Sequence, residues 1–121
     1  MKNTKHLVKF VREAVIKRKR ERYVGYLVNK KGQTKFLAAL DHDLLRDIDD
    51  SKAVNELSEK EWLMHGYFYS SQGAYDIPNK TITEAYEKAS WEGGWLILSE
   101  SGGLGVYRPE GRIDGEIYIK L

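Results

Sequence analysis

Asp41, His42 and Asp43 stand together in the chain, and Glu61 and His65 follow at a spacing of four. Carboxylate oxygens and imidazole nitrogens are ligands that divalent cations accept, and Glu61 and His65 would share a face if their segment were helical. The pattern falls short of a metal motif, because neither His-Glu-x-x-His nor a twelve-residue calcium loop is present. Helix capping explains the first cluster more simply. Asp41 is expected to cap a short helix through Ile48, with Asp43 in its first turn and Leu44, Leu45 and Ile48 on one face. No metal and no cofactor are expected.

The glycines Gly93-Gly94 and Gly102-Gly103-x-Gly105 raise the question of a phosphate loop. Such a loop needs its glycines between a strand and the N-terminus of a helix. The first pair follows a predicted helix and the second set joins two predicted strands, so both read as turn chemistry. Cysteine is absent, which removes disulfides, thiolate metal sites and a thiol nucleophile. No Gly-x-Ser-x-Gly elbow occurs, and the three histidines have no evident serine and acid partners in sequence. The balance is against an enzyme.

Two surfaces are better candidates for binding. Lys5, Lys9, Arg12, Lys19 and Arg20 recur at helical spacing opposite the apolar stripe Leu7, Val11, Val15, interrupted by Ile16. On one continuous helix this stripe would run roughly 22 Å, enough to follow several phosphates or an acidic groove. A solvated helix face, with Lys9, Glu13 and Lys17 paired four apart, is the plain alternative. The second surface is aromatic. Trp62, Tyr67, Tyr69, Tyr75, Trp91 and Trp95 crowd one stretch, and in a strand Tyr67 and Tyr69 point to one face and Phe68 to the other. Tyr and Trp are favoured at interfaces, although most such side chains serve the core.

The elements that must hold these groups follow from periodicity. Leu7, Phe10, Val11, Ala14 and Val15 predict an amphipathic helix, capped by Thr4 and ending near Arg22, where the Lys17–Arg20 cations suit the dipole. Tyr23–Asn29 and Thr34–Leu40, rich in aromatic, aliphatic and β-branched residues around Gly32, predict an antiparallel hairpin. Ser58-x-x-Glu61 and Thr81-x-x-Glu84 are capping boxes that start short helices under Trp62 and before Ala85, Tyr86 and Ala89. His65–Tyr69, Trp95–Glu100, Gly105–Arg108 and Glu116–Leu121 read as strands. The result is a single α+β domain over residues 1–121. It comprises a mainly antiparallel sheet of about five or six strands, with an N-terminal hairpin and a C-terminal meander, covered on one face by the N-terminal helix and two short helices.

Charge is the one global departure from the average. Residues 1–22 hold nine Lys and Arg against two Glu, a net +7, and residues 23–121 hold eleven against sixteen acids, a net −5, which together give the overall +2. A basic arm on an acidic body hints at an anionic partner. Neither an apolar signal core nor a spanning run is visible, so the cytoplasm is the default location and no membrane role is expected. The leading expectation is a non-enzymatic module that binds another protein, as an inhibitor or immunity-type partner, through Lys5, Lys9, Arg12, Lys19, Arg20 and an exposed Tyr67 or Tyr69. A nucleic-acid binder using the basic helix is the alternative, and a third is a small ligand-binding domain or enzyme with a pocket between sheet and helices, lined by Trp62, Trp91 or Trp95 and a carboxylate. A strand edge ending at Leu121 leaves pairing with a second copy open.

Overall fold

The computed structural model of the chain describes residues 4–42, 44–45, 52–71, 80–89, 93–110 and 117–121. Its first helix, α1 (Thr4–Ala14), buries Leu7, Phe10, Val11 and Ala14 as their spacing predicts, and Thr4 is its first helical residue rather than its cap. The helix stops well before Arg22. Val15 leaves it to form an antiparallel bridge with Leu45, and the Ile16 amide donates to the Leu44 carbonyl at 2.8 Å. The Arg20 Nε then donates to the vacated Val15 carbonyl at 2.7 Å. Satisfying that carbonyl lets the chain turn, through one 3₁₀ turn at Lys17–Lys19, into a second helix.

That helix, α2 (Arg20–Leu27), and its successor α3 (Lys30–Ala39) occupy the region where a β-hairpin was expected. The local side chains favour strand, but burial decides otherwise. Tyr23 and Leu27 lie four apart, and Phe36, Leu37 and Leu40 follow the one-and-four pattern, so each segment buries one helical face. Asn29 starts α3, its side chain accepting the Gly32 amide at 2.7 Å. Gly32 is not a hairpin turn: a Cβ there would sit 2.3 Å from the Tyr26 carbonyl oxygen, so glycine is what lets α2 and α3 touch.

The remaining elements are β1 (Lys52–Ala53), α4 (Glu59–Trp62), β2 (His65–Ser70), β3 (Lys80–Thr81), α5 (Ile82–Ala89), β4 (Trp95–Ser99), β5 (Leu104–Arg108) and β6 (Ile117–Lys120). The first capping box is complete, and the second forms its hydroxyl-to-amide half. Ser58 and Glu61 exchange side chain and backbone bonds at the start of α4, and the Thr81 hydroxyl accepts the Glu84 amide at 3.2 Å before α5. Four strands in the order β6-β5-β4-β2 make an antiparallel body, and the two-residue strands β1 and β3 pair at its edges. The sheet is therefore slightly smaller than expected, since the N-terminal hairpin contributes nothing to it. The β4–β5 connection is the tight turn foreseen there, with Gly102 at φ 77°. The C-terminal strand is covered on its outer edge by β1 at Ile117 and Tyr118, the start of the strand.

Both faces of the sheet are covered, rather than one. Tyr67 and Tyr69 of β2, Leu96 and Leu98 of β4, and Tyr107 of β5 pack under α1, α2 and α3. Phe68, Trp95, Ile97, Leu104 and Val106, the alternate residues, pack under α4, α5 and the 3₁₀ turn Val54–Glu56. A strand buried on both sides has no reason to alternate in polarity, which explains the unbroken apolar run Trp95–Leu98.

Asp41 does not cap a helix among the described residues. One carboxylate oxygen accepts the Gly94 amide at 2.6 Å and the Ser71 hydroxyl at 2.5 Å, joining the end of the helical layer to the mouths of β2 and β4. The Tyr107 hydroxyl adds a shared bond to the carbonyls of Leu40, at 3.0 Å, and His42. The final segment of the expected helix, residues 46–48, lies outside the described residues. At Gly94 the need for glycine is space: a Cβ would lie 2.0 Å from the Leu40 carbonyl oxygen. Asp41→Ala should cost about 1–3 kcal/mol by orphaning the Gly94 amide, and Gly94→Ala at least as much. Gly103→Ala, whose Cβ would meet only the Ser101 hydroxyl at 3.7 Å, should stay within about 0.5 kcal/mol of wild type. Urea midpoints of the three variants check this ordering.

Candidate functional site

The helices above the first sheet face carry more than half of the protein's cationic side chains. Residues 4–40 hold eleven Lys and Arg and two Glu, a net +9, and no acidic residue occurs between Glu21 and Asp41. Eight of those cations are exposed: Lys5, Arg12, Lys17, Arg18, Arg22, Lys30, Lys31 and Lys35. The helices on the opposite face differ. Residues 54–62 and 82–89 hold five Glu and two Lys, a net −3. The sheet thus separates a basic layer from an acidic one. The division falls at residue 40, where the helical layer ends, and not at residue 22.

Within the basic layer the expected residues fall into two groups. Lys5, Lys9 and Arg12 form a row on α1, with Lys5 and Arg12 exposed, Lys9 half-buried, and Arg12 reaching Glu21 of α2 at 3.9 Å. Lys19 and Arg20 do not continue that row, because the chain turns at Val15. Both are half-buried, and Arg20 is engaged with the end of α1. Lys30, Lys31 and Lys35 on α3 were overlooked when their segment read as a hairpin. The signal that could have found them is the acid-free stretch that contains them.

Tyr67 and Tyr69 are brought together, but inward. They are 9% and 0% exposed and belong to the core beneath the helical layer, so neither offers a free aromatic anchor. The large apolar side chains exposed among the described residues are Val28, at the turn between α2 and α3, and Leu63, beyond α4. They sit on opposite layers and form no shared patch.

The carboxylates and imidazoles considered for metal binding are dispersed. Asp41 holds Gly94 and Ser71, Glu61 is engaged with Ser58 and approaches Lys120 at 3.9 Å, and His65 lies 3.7 Å from Glu100. Asp43 lies outside the described residues, among which no three His, Cys, Asp or Glu side chains converge. Among the described residues, the tryptophans considered for a pocket pack against their neighbours. Trp62, Tyr86 and Trp95 stack edge to face at 5.2 and 5.9 Å, while Trp91 and Tyr75 lie outside the described residues. A shallow hollow of about 440 Å³ beside Met64, His65, Glu100 and Ser101 opens broadly to solvent. It lacks the enclosure that an enzyme site uses to exclude water. No helix among the described residues is long and apolar enough to cross a membrane.

One titratable group inside the basic layer is perturbed. Burial pushes the Tyr23 phenol above its usual value of 10.0, Arg22 pulls it partly back, and Tyr26 adds to the rise. The fold therefore favours the neutral phenol. Its contribution is complete below pH 10 and is lost as pH climbs through the raised folded value. Tyr23→Phe should lose less thermal stability than wild type between pH 9 and about pH 11, a difference that melting curves across that range would resolve. No protein-family model, no curated protein and no solved structure matches the chain.

Proposed function

We propose that this protein is a non-enzymatic module that binds nucleic acid through the outer face of its basic helical layer. One observation carries the reading: a +9 layer with two carboxylates of its own, set on the far side of the sheet from the acidic helices. Two objections weaken against that arrangement. The acidic helices α4 and α5 would repel phosphate if they lay beside the cations, but here a sheet and a helical layer, each about 10 Å thick, intervene. That distance is about twice the Debye length at physiological salt, so the repulsion is largely screened. None of the described aromatic side chains is exposed, which argues against an interface held by apolar anchors, yet phosphate contacts need none.

A second reading keeps the protein partner, favoured by Val28. This side chain is 71% exposed at the tip of the α2–α3 turn, beside Lys30 and Lys31, and would suit an acidic surface with an apolar recess. It replaces the anchor that Tyr67 and Tyr69 do not supply.

Fluorescence anisotropy with labelled oligonucleotides decides between them. Binding at about 50 mM salt should weaken by about 10²- to 10³-fold on raising salt to 200 mM, the dependence set by some five phosphate contacts. The triple change Lys5→Glu, Lys9→Glu, Arg12→Glu should reduce affinity more than tenfold for every sequence. If no oligonucleotide binds at 50 mM salt, the nucleic-acid reading is wrong. A partner protein that survives nuclease and is released by Val28→Asp would establish the second reading.

A further inference from the structure

The arrangement of cations across the layer distinguishes between forms of nucleic acid. α2 packs against both α1 and α3, which make few contacts with each other. With α2 between them, the α1 row Lys5, Lys9 and Arg12 and the α3 row Lys31 and Lys35 would stand up to two interaxial distances apart, about 16–20 Å. Rows that far apart can reach phosphates on both sides of a groove about 12 Å wide. A single strand offers one backbone and would satisfy one row.

Single-strand binding also relies on aromatic faces on which unpaired bases stack. Among its aromatic side chains only Tyr26 is partly exposed. Phe10 and Phe36 are fully buried and Tyr23 is 6% exposed. Tyr26 is packed by the Tyr23 ring at 5.8 Å and by the Lys35 ammonium at 5.7 Å from its centroid.

Between the rows, the outward stripe of α2 contains a residue that the fold does not require. Gly25 is exposed, lies within a helix, and has nothing within 4 Å of where a Cβ would stand. Glycine inside a helix is unfavourable relative to other residues, and here no packing contact demands it. Its effect is a low point on the surface, where another backbone can come close.

We infer that the ligand of this layer is a double helix, gripped on its two phosphate backbones by the α1 and α3 rows with Gly25 of α2 between them. The inference rests on the nucleic-acid reading above and specifies its substrate class. The groove width that the two rows match is that of B-form DNA, so the proposed ligand is duplex DNA, and duplex RNA is the comparison arm of the test.

The test compares a labelled duplex DNA, a duplex RNA and a single strand, each of about sixteen nucleotides per strand, at about 50 mM salt. Duplex DNA should bind about tenfold or more tightly than the single strand, and a preference for duplex RNA over duplex DNA overturns the choice of ligand. The pairs Lys5→Glu/Lys9→Glu and Lys31→Glu/Lys35→Glu should each weaken duplex binding more than tenfold, whereas Lys60→Glu on the opposite layer should leave it within about twofold. Gly25→Leu should raise the melting temperature by about 2–5 °C, since leucine favours helix, yet weaken duplex binding at least about threefold. That opposition separates a contact role from a folding defect. Equal or tighter binding of the single strand overturns the inference and leaves the nucleic-acid reading standing. So does full duplex affinity in the α3 pair or in Gly25→Leu. Failure of all three oligonucleotides to bind removes both.

Discussion

The structure depends on one constraint, that β4 is apolar on both of its faces. Trp95 and Ile97 look to one side and Leu96 and Leu98 to the other, and all four are essentially inaccessible. A strand of this kind cannot face water on either side, so a layer of secondary structure has to stand on each. β4 sits between β2 and β5, which share the requirement through Tyr67, Phe68, Tyr69, Val106 and Tyr107. The second layer of helices is a consequence of this burial. With α4 and α5 committed to one face, the other is left to the first forty residues of the chain.

That division explains which features were legible in the sequence. Features fixed by neighbours in the chain were read directly. These include the buried stripe of α1, the two capping boxes, the β4–β5 turn at Gly102, and the alternation that sets Phe68 opposite Tyr67 and Tyr69. The segments 23–29 and 34–40 misled because Tyr-Val-Gly-Tyr-Leu-Val has the composition of a strand. Its fate is set by the exposed sheet face that it has to cover, a demand that arises from residues about seventy positions later. The helical spacing of Tyr23 with Leu27 and of Phe36 with Leu40 was present, but the stronger local propensity concealed it.

The candidate surface was legible in part for the same reason. A row of cations on α1 follows from local spacing, whereas the second row on α3 exists only if that segment is helical. Asp41 shows the converse. Its position before Leu44 and Leu45 suggests a helix cap, and its carboxylate instead serves Gly94 and Ser71, partners 53 and 30 positions away. A capping residue and a tertiary clasp use the same chemistry, a carboxylate accepting a backbone amide, and spacing alone cannot separate them.

The separation of charge by the sheet has a consequence for how the molecule approaches a partner. Opposed net charges on its two helical layers contribute a dipole component across the sheet, beside the small net charge of +2. In the field of a polyanion that component would add a torque to the attraction and favour approach with the basic layer forward. Encounters that begin in the wrong orientation are thereby corrected at a distance. The overall neutrality implied by +2 conceals a strongly directional object, whose steering weakens as ionic strength shortens the reach of its field.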